Sequence, residues 1–302
     1  MLRVAVVGVG RWGRNHVRVL KELEAEERIK LVAVCDVDAS RAREIASVYG
    51  VERATSSIEE LLSTRIDAAV IATPIDKLFE VALELVKRGI HVLVEKPVAT
   101  RSSEAQILAQ EAERRNVVAM PGFIMRFNPA VRELKRVAQG CRIHYAVFRR
   151  LSRRPPHARR HSILLDLTIH DIDLCRFVTS ANQCNVESAS IVNAGIDSIV
   201  IAIMNCGSSK CILHTDGLSL AKVREIELIC EEVFVRVNTD ENTVKISHPD
   251  KSYTERRVVG EEPLKAEDRA FIRACLGERV EIPTMQDAVK ALEIVEQIER
   301  KA

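Results

Sequence analysis

The chain has 302 residues, 47% of them hydrophobic and 29% charged, with only 12 glycines and 9 prolines. That composition excludes disordered, collagen-like and low-complexity classes, and the length predicts two domains of ordinary size or one large α/β unit. Forty-five Lys and Arg against forty-three Asp and Glu leave a net charge of +2, too balanced for a nucleic-acid or polybasic membrane surface to follow from overall charge.

From the N-terminus, short apolar runs alternate with longer amphipathic segments, the pattern of strand-helix-strand units on a parallel sheet. Strands are predicted at 3–7, 30–35, 68–72, 91–94 and 117–121, with helices at about 11–25, 39–49, 57–63, 76–88 and 101–115. Ser40 near a helix start, Thr100 as an N-cap, and Gly50 and Gly89 just past helix ends mark the boundaries. The first 121 residues read as a doubly wound parallel sheet of Rossmann type.

After residue 121 the rhythm changes. A helix at 129–137 leads to a strand at 142–151, an Arg- and Pro-rich loop, and a helix from about 163 to 178. Strand-length runs follow at 186–192, 197–205, 210–216, 223–230, 233–238, 243–247 and 252–259, and helices at 266–276 and 285–301 close the chain. Residues 122–302 therefore read as an α+β domain with a large, mostly antiparallel, open-faced sheet that takes substrate and builds a homodimer or homotetramer. No internal repeat is present. The longest apolar runs, 4–9 and 199–204, hold six residues each, far short of a membrane span. Arg11 and Arg14 interrupt any secretory signal, so a cytoplasmic protein with neither membrane nor nucleic-acid partner is expected.

The eight cysteines (35, 141, 175, 184, 206, 211, 230 and 275) contain no zinc-type spacing, which predicts no metal site and mostly buried thiols. Cys206 and Cys211 flank 207–210 and are the pair that a hairpin would bring face to face, although a reducing cytosol argues against a bridge.

Gly8-Val9-Gly10-Arg11-Trp12-Gly13 follows the first strand and opens a helix. The glycines allow a tight turn, close approach of a pyrophosphate and helix-strand packing, and the helix N-terminus stabilises phosphate charge. Asp36 ends the second strand, where a carboxylate accepts hydrogen bonds from ribose hydroxyls and repels a 2′-phosphate. NAD is thus the expected cofactor, with Arg41 and Arg43 keeping NADP open as the alternative. Thr73 and Pro74 end the next strand at the same crevice and are further cofactor contacts.

Glu95-Lys96-Pro97 ends another strand at its carboxyl edge, where ligands of open α/β sheets bind. Lys96 there can bond substrate and cofactor hydroxyls and favour a deprotonating alcohol. Asp166 and His170, four apart, share one face of their helix; Asp173 returns to that face and Asp171 points elsewhere. Oxidation of an alcohol needs a base for the hydroxyl proton, the role His170 suits, with Asp166 tuning it or binding a neighbouring hydroxyl.

Taken together, Gly8-x-Gly10-x-x-Gly13, Asp36, Glu95-Lys96-Pro97, Gly122-Phe123-x-x-Arg126-Phe127-Asn128-Pro129 and Asp166-x-x-x-His170-Asp171-x-Asp173 resemble the glucose-fructose oxidoreductase / inositol dehydrogenase / MocA family over essentially the whole chain. The resemblance implies that Lys96, Asp166 and His170 act together on a sugar or cyclitol carbon, with hydride passing to NAD. It also implies a C-terminal sheet that packs against another subunit. Two departures stand out: Leu78 occupies a place where members often carry His, and Ser162 and Thr168 stand where glycines are common.

Residues 149–161 hold six arginines, Arg149, Arg150, Arg153, Arg154, Arg159 and Arg160, with His157 and His161. Arginine forks suit phosphate, so an anionic substrate such as a nucleoside-diphosphate sugar is expected, with Arg126, Arg153 and Arg154 among its contacts. The stretches 126–131 and 163–167 and the Arg/Pro loop are also similar to archaeal UDP-N-acetylglucosamine 3-dehydrogenase-like members, which points to UDP-GlcNAc. Two other readings keep the fold: a sensor that binds cofactor without chemistry, which would be expected to lack Lys96 or His170, and an enzyme that recycles bound NAD during glycoside cleavage.

Overall fold

In the computed structural model, which describes residues 1–302, the apolar run near the N-terminus forms β1 (Leu2–Val7), whose Val4, Ala5 and Val6 are wholly buried. Strands and helices then alternate: α1 (Arg11–Leu23), β2 (Ile29–Cys35), α2 (Ala39–Tyr49), β3 (Arg53–Thr55), α3 (Ile58–Leu62), β4 (Ala68–Ile71), α4 (Ile75–Lys87), β5 (His91–Glu95), α5 (Ser102–Arg115) and β6 (Ala119–Gly122). The six strands pair in parallel in the order β3-β2-β1-β4-β5-β6, so β1 and β4 lie at the centre and their carboxyl ends face the same edge. β3 has no counterpart in the sequence reading, because three residues with an exposed Arg53 give no apolar run. Helix boundaries follow local chemistry. Asp38, rather than Ser40, caps α2 by accepting the Ser40 and Arg41 amides. Ahead of α5, the Thr100 amide and hydroxyl donate to Glu104 rather than Thr100 accepting from the helix.

The remaining elements are a 3₁₀ turn (Ile124–Phe127), α6 (Pro129–Ala138), β7 (Ile143–Leu151), a π-helical turn (Leu164–Thr168) and α7 (Ile169–Thr179). Then come β8 (Cys184–Asn193), β9 (Ser198–Cys206), β10 (Ser209–Asp216), β11 (Val223–Cys230), β12 (Phe234–Asn238), β13 (Thr243–Ser247), β14 (Tyr253–Arg257), α8 (Pro263–Cys275) and α9 (Met285–Lys301). Eight strands pair in the order β14-β13-β12-β11-β7-β10-β9-β8; all pairings are antiparallel except β7 with β10. Alternation sets the two faces. Val200, Ala202, Met204, Cys211 and Leu213 are buried on the side that packs against α7, whereas Ile201 and Tyr145 stay 47% and 41% exposed.

Contacts divide the chain into two units, residues 1–123 with 264–289 and residues 124–263 with 290–302. The sequence rhythm gave one boundary after residue 121; in the structure residues 264–289, including α8, return to the first unit. The reason is visible in that helix: its buried Glu267 and Asp268 lie beside His16 of α1, a long-range contact that no local pattern encodes.

The cysteine expectation needs a larger correction. The bridge joins Cys184 to Cys206, and Cys211 is a free buried thiol. Register decides this: across β9 and β10, Cys206 stands opposite Ser209 and Cys211 opposite Met204, while Cys184 faces Cys206 directly across β8 and β9.

Candidate active site

In the first unit, β1 runs into Gly8, held at φ +82°, a left-handed conformation that glycine adopts freely. A side chain there would press within 2.7 Å of the Ala72 and Thr73 backbone. At Gly13 the restriction is absolute, because a Cβ would sit 1.8 Å from the Gly8 carbonyl oxygen. Gly10, by contrast, has nothing within 4 Å of its would-be Cβ, and no side chain caps α1. The turn is therefore closed on the inside and open toward the N-terminus of α1, the shape and polarity that a pyrophosphate requires. Arg11 and Trp12 occupy the first turn of the helix, both exposed to solvent.

Asp36 is only 6% exposed. One carboxylate oxygen accepts the Val9 amide at 2.9 Å; the other accepts the Asp38 amide at 2.9 Å and the Arg41 guanidinium at 3.1 Å. The acid thus ties the end of β2 to the glycine turn and holds a carboxylate where a ribose would lie. Arg41 also pairs with Asp38, so two acids already neutralise the side chain that a 2′-phosphate would need. At the end of β4 the Thr73 hydroxyl is buried with no hydrogen-bond partner, and Pro74 caps α4. An orphaned hydroxyl beside an open glycine turn fits a cofactor that supplies the missing partner. These residues fit NAD.

The Glu95 carboxylate at the end of β5 accepts the Lys96 amide at 3.1 Å and the Trp12 indole N–H at 2.5 Å. Lys96 is half-buried and follows directly, with a cis peptide bond to Pro97. Leu78, the departure noted in the sequence, is 1% exposed and packs as a core residue.

In the second unit, the expected helix begins as the π-helical turn, and its wider spacing carries Asp166 into α7 and His170. Such turns concentrate at functional sites. Two carboxylates pin α7: Asp171 takes both prongs of Arg150 on β7, at 2.7 and 2.9 Å, and Asp173 takes both prongs of Arg126, at 2.5 and 2.8 Å. Asp173, expected on the Asp166 face, is committed to this pair and is 1% exposed. Arg126 is likewise engaged by a carboxylate. Arg154 is buried and bonds both oxygens of Asp197, reaching Asp166 at 3.4 Å. Desolvation opposes the charge on Arg154, but Asp197 and Asp166 outweigh it and raise its pKa. Burial likewise disfavours the Asp197 anion, and the Arg154 hydrogen bond overcomes that penalty and lowers its pKa. Of the arginines expected to meet substrate, Arg126 and Arg154 are internal ion-pair partners, while Arg153 is exposed.

Arg154, Arg159, Arg160, His161, Asn193 and Ser198 line a cavity of about 530 Å³. Arg159 donates to the Arg154 carbonyl and leans toward Asp197 at 3.9 Å, so Arg154 and Asp197 form an ion-paired inner wall, while Arg160 and His161 share the rest of the lining with the acid Glu299. Arginine density is legible in the sequence, whereas only the fold shows which of these arginines face carboxylates.

A Rossmann sheet whose first turn requires glycine at Gly8 and Gly13 and whose second strand ends in a fixed carboxylate defines a dinucleotide-binding class. Residues 2–123 match the family model of the Gfo/Idh/MocA oxidoreductases, an oxidoreductase family with an NAD-binding Rossmann fold. Over 249 residues the chain is 33% identical to UDP-N-acetylglucosamine 3-dehydrogenase of Acidithiobacillus ferrooxidans, a match spanning 82% of this chain and 77% of that protein. It is 31% identical over 194 residues to scyllo-inositol 2-dehydrogenase (NAD(+)) of Bacillus subtilis, spanning 62% of this chain and 56% of that protein. A solved structure of the Acidithiobacillus enzyme superposes with a TM-score of 0.91 at 27% identity, covering 100% of this chain and 97% of the other. The chain belongs to the Gfo/Idh/MocA oxidoreductase family, and NAD is the cofactor of that family.

Proposed function

We propose that the protein oxidises a ring alcohol of a nucleotide sugar, with UDP-N-acetylglucosamine and its 3-hydroxyl as the best candidate. The observation that carries the substrate class is the cavity of about 530 Å³ walled by Arg159, Arg160 and His161, whose inner wall is the Arg154 that bonds Asp166. Guanidinium and imidazole donors suit a diphosphate, and the volume suits a sugar nucleotide's polar head. The similarity to the Acidithiobacillus enzyme supports the same choice.

In this reading His170 takes the hydroxyl proton, Asp166 orients the neighbouring hydroxyl, and Lys96 stabilises negative charge growing on the reacting oxygen. NAD, when bound, accepts the hydride released from the carbon. Gly8, Gly10, Arg11, Trp12, Gly13, Asp36, Thr73, Pro74 and Glu95 form the cofactor side. The first unit serves as the cofactor domain and the second as the substrate and assembly domain, and the enzyme works in the cytoplasm. The outer face of the eight-stranded sheet, where Tyr145, Val192 and Ile201 are exposed, joins subunits into a homodimer or homotetramer. A strictly monomeric species in light scattering at micromolar concentration would overturn that part.

The test is nicotinamide absorbance with NAD or NADP and UDP-GlcNAc, free sugars or inositols. Reduction of NAD with UDP-GlcNAc, and a raised KM for the sugar nucleotide in an Arg160→Ala/His161→Ala variant, is the expected result. Turnover of free sugars or inositols with none of UDP-GlcNAc overturns the substrate class. Faster reduction of NADP overturns the cofactor choice.

A further inference from the structure

His16 lies three residues past Gly13 on the buried face of α1 and is wholly inaccessible to solvent. Its Nδ1 faces both oxygens of Asp268 on α8, at 2.8 and 3.1 Å, and its Nε2 faces Glu95 Oε1 at 3.1 Å. A neutral imidazole has one N–H and one lone pair, so between two ionised acids one of these contacts would set a lone pair against a carboxylate oxygen, and the imidazolium satisfies both. Burial alone pushes the imidazole pKa down, but Asp268 and Glu95 outweigh it and hold the pKa well above its usual range.

The groups facing His16 are Trp12 on its own helix, Glu95 on β5, and Glu267 and Asp268 on α8. Glu267 is fully buried, and neither of its oxygens has a hydrogen-bond partner. Burial, reinforced by the nearby Glu95 and Asp268 charges and only partly opposed by His16, raises its pKa well above the carboxylate range, which favours the neutral acid. Glu95 is the node of the network. Its Oε1 takes both His16 and Trp12, and its Oε2 takes the Lys96 amide. Room for the node comes from β6, where a Cβ on Gly122 would lie 3.2 Å from the Glu95 carboxyl carbon. One carboxylate therefore fixes the aromatic residue of the glycine turn and the backbone that presents Lys96.

We propose that His16 is a positioning residue: clamped between Asp268 and Glu95, it sets the Glu95 carboxylate and, through it, the Trp12 indole and the Lys96 turn on the cofactor side of the first unit. The proposal rests on the cofactor and Lys96 roles given under Proposed function. The sequence holds the signal, a histidine at the third position after the G-x-G-x-x-G turn, but nothing local reveals its two acidic partners.

Trp12 is the only tryptophan in the chain, so intrinsic emission reports on this network alone. In His16→Ala, without cofactor, Trp12 emission moves to longer wavelength and loses anisotropy. NAD binding, read calorimetrically, weakens about tenfold, the effect of losing a hydrogen bond to a charged group. Sugar turnover falls in kcat at unchanged sugar KM. His16→Gln, which keeps one N–H toward Glu95, recovers part of each change, and Asp268→Asn moves all three in the direction of His16→Ala. A folded His16→Ala or Asp268→Asn protein with wild-type Trp12 emission and NAD affinity overturns the proposal. The wild-type chain supplies an arm free of folding failure: at pH 7.5, ring ¹⁵N shifts of the eight histidines must include a buried imidazolium, and its absence is equally fatal. Emission, binding and ¹⁵N arms use no sugar, so a wrong substrate class leaves them standing.

Discussion

The two units bury charge in opposite ways. In the second, three arginines each meet an acid through a fork: half-buried Arg126 with Asp173, and buried Arg150 and Arg154 with Asp171 and Asp197. In the first, three acids, Glu95, Glu267 and Asp268, surround a single histidine. Guanidinium groups stay charged at any physiological pH, so the second unit's geometry does not depend on protons. In the first unit's cluster the pKa values of His16 and Glu267 are both raised, His16 by its two carboxylate partners and Glu267 by burial. Around neutral pH the forks in the half that carries the candidate base keep their charge, whereas the cluster beside the glycine turn is centred on a group that titrates.

The largest effect expected from this contrast is chemical. Because Asp171 and Asp173, one and three residues after His170, pin α7 through Arg150 and Arg126, a His170→Asn substitution should remove the base without loosening its helix. The expected loss is about 10²- to 10⁴-fold in kcat with an unchanged melting temperature. A large fall in melting temperature would show that His170 itself supports the helix.

The next effect is on stability. Arg154→Met leaves Asp197 buried without its fork, and removing one partner of a buried pair costs about 3–5 kcal/mol. Arg153→Met, on an exposed neighbour, should stay within about 0.5 kcal/mol. Equal losses at the two positions would remove the distinction between internal and surface arginines of this loop. The Arg154 variant should also raise the sugar KM, since Arg154 bonds Asp166.

Those same arginines mark where sequence stops being informative. Periodicity located every strand of the parallel sheet except the three-residue β3, and the antiparallel strands to within two or three residues, because burial alternates locally. The glycine turn after β1 was legible because Gly8 and Gly13 are required by backbone clashes that leave a fixed spacing. Pairing between distant charges has no such period. Nothing near Arg126 announces Asp173, nothing near Arg154 announces Asp197, and the return of 264–289 to the first unit depends on where α8 packs. The π-helical turn hid for a related reason: one extra residue in a helical turn changes hydrogen bonding without changing the apolar pattern much. Cys184 was overlooked because strand register, not proximity in sequence, brought it to Cys206.

The smallest predicted effect tests the proton-held half directly. Glu267 keeps its proton in the fold well above the pH at which an unfolded carboxyl loses it, so above about pH 4.5 the native state binds one more proton than the unfolded state. Stability then falls as pH rises, by up to about 1.4 kcal/mol per pH unit, until the folded group itself ionises. His16, whose pKa is also raised, adds a second decline of the same sign beginning near pH 6.5. Burial lowers the His91 pKa and acts in the opposite direction below pH 6.5, so the comparison must be between variants rather than along one curve. Glu267→Gln mimics the protonated side chain and has no proton to lose. Its melting temperature should match wild type near pH 4.5 and exceed it increasingly from pH 5.5 to 6.5, by roughly 2–4 °C per unit. Above pH 6.5 both proteins should still decline through His16. Parallel curves across the whole range would mean that Glu267 ionises normally in the fold. The His16 proton would then be the only one retained by the cluster of the first unit.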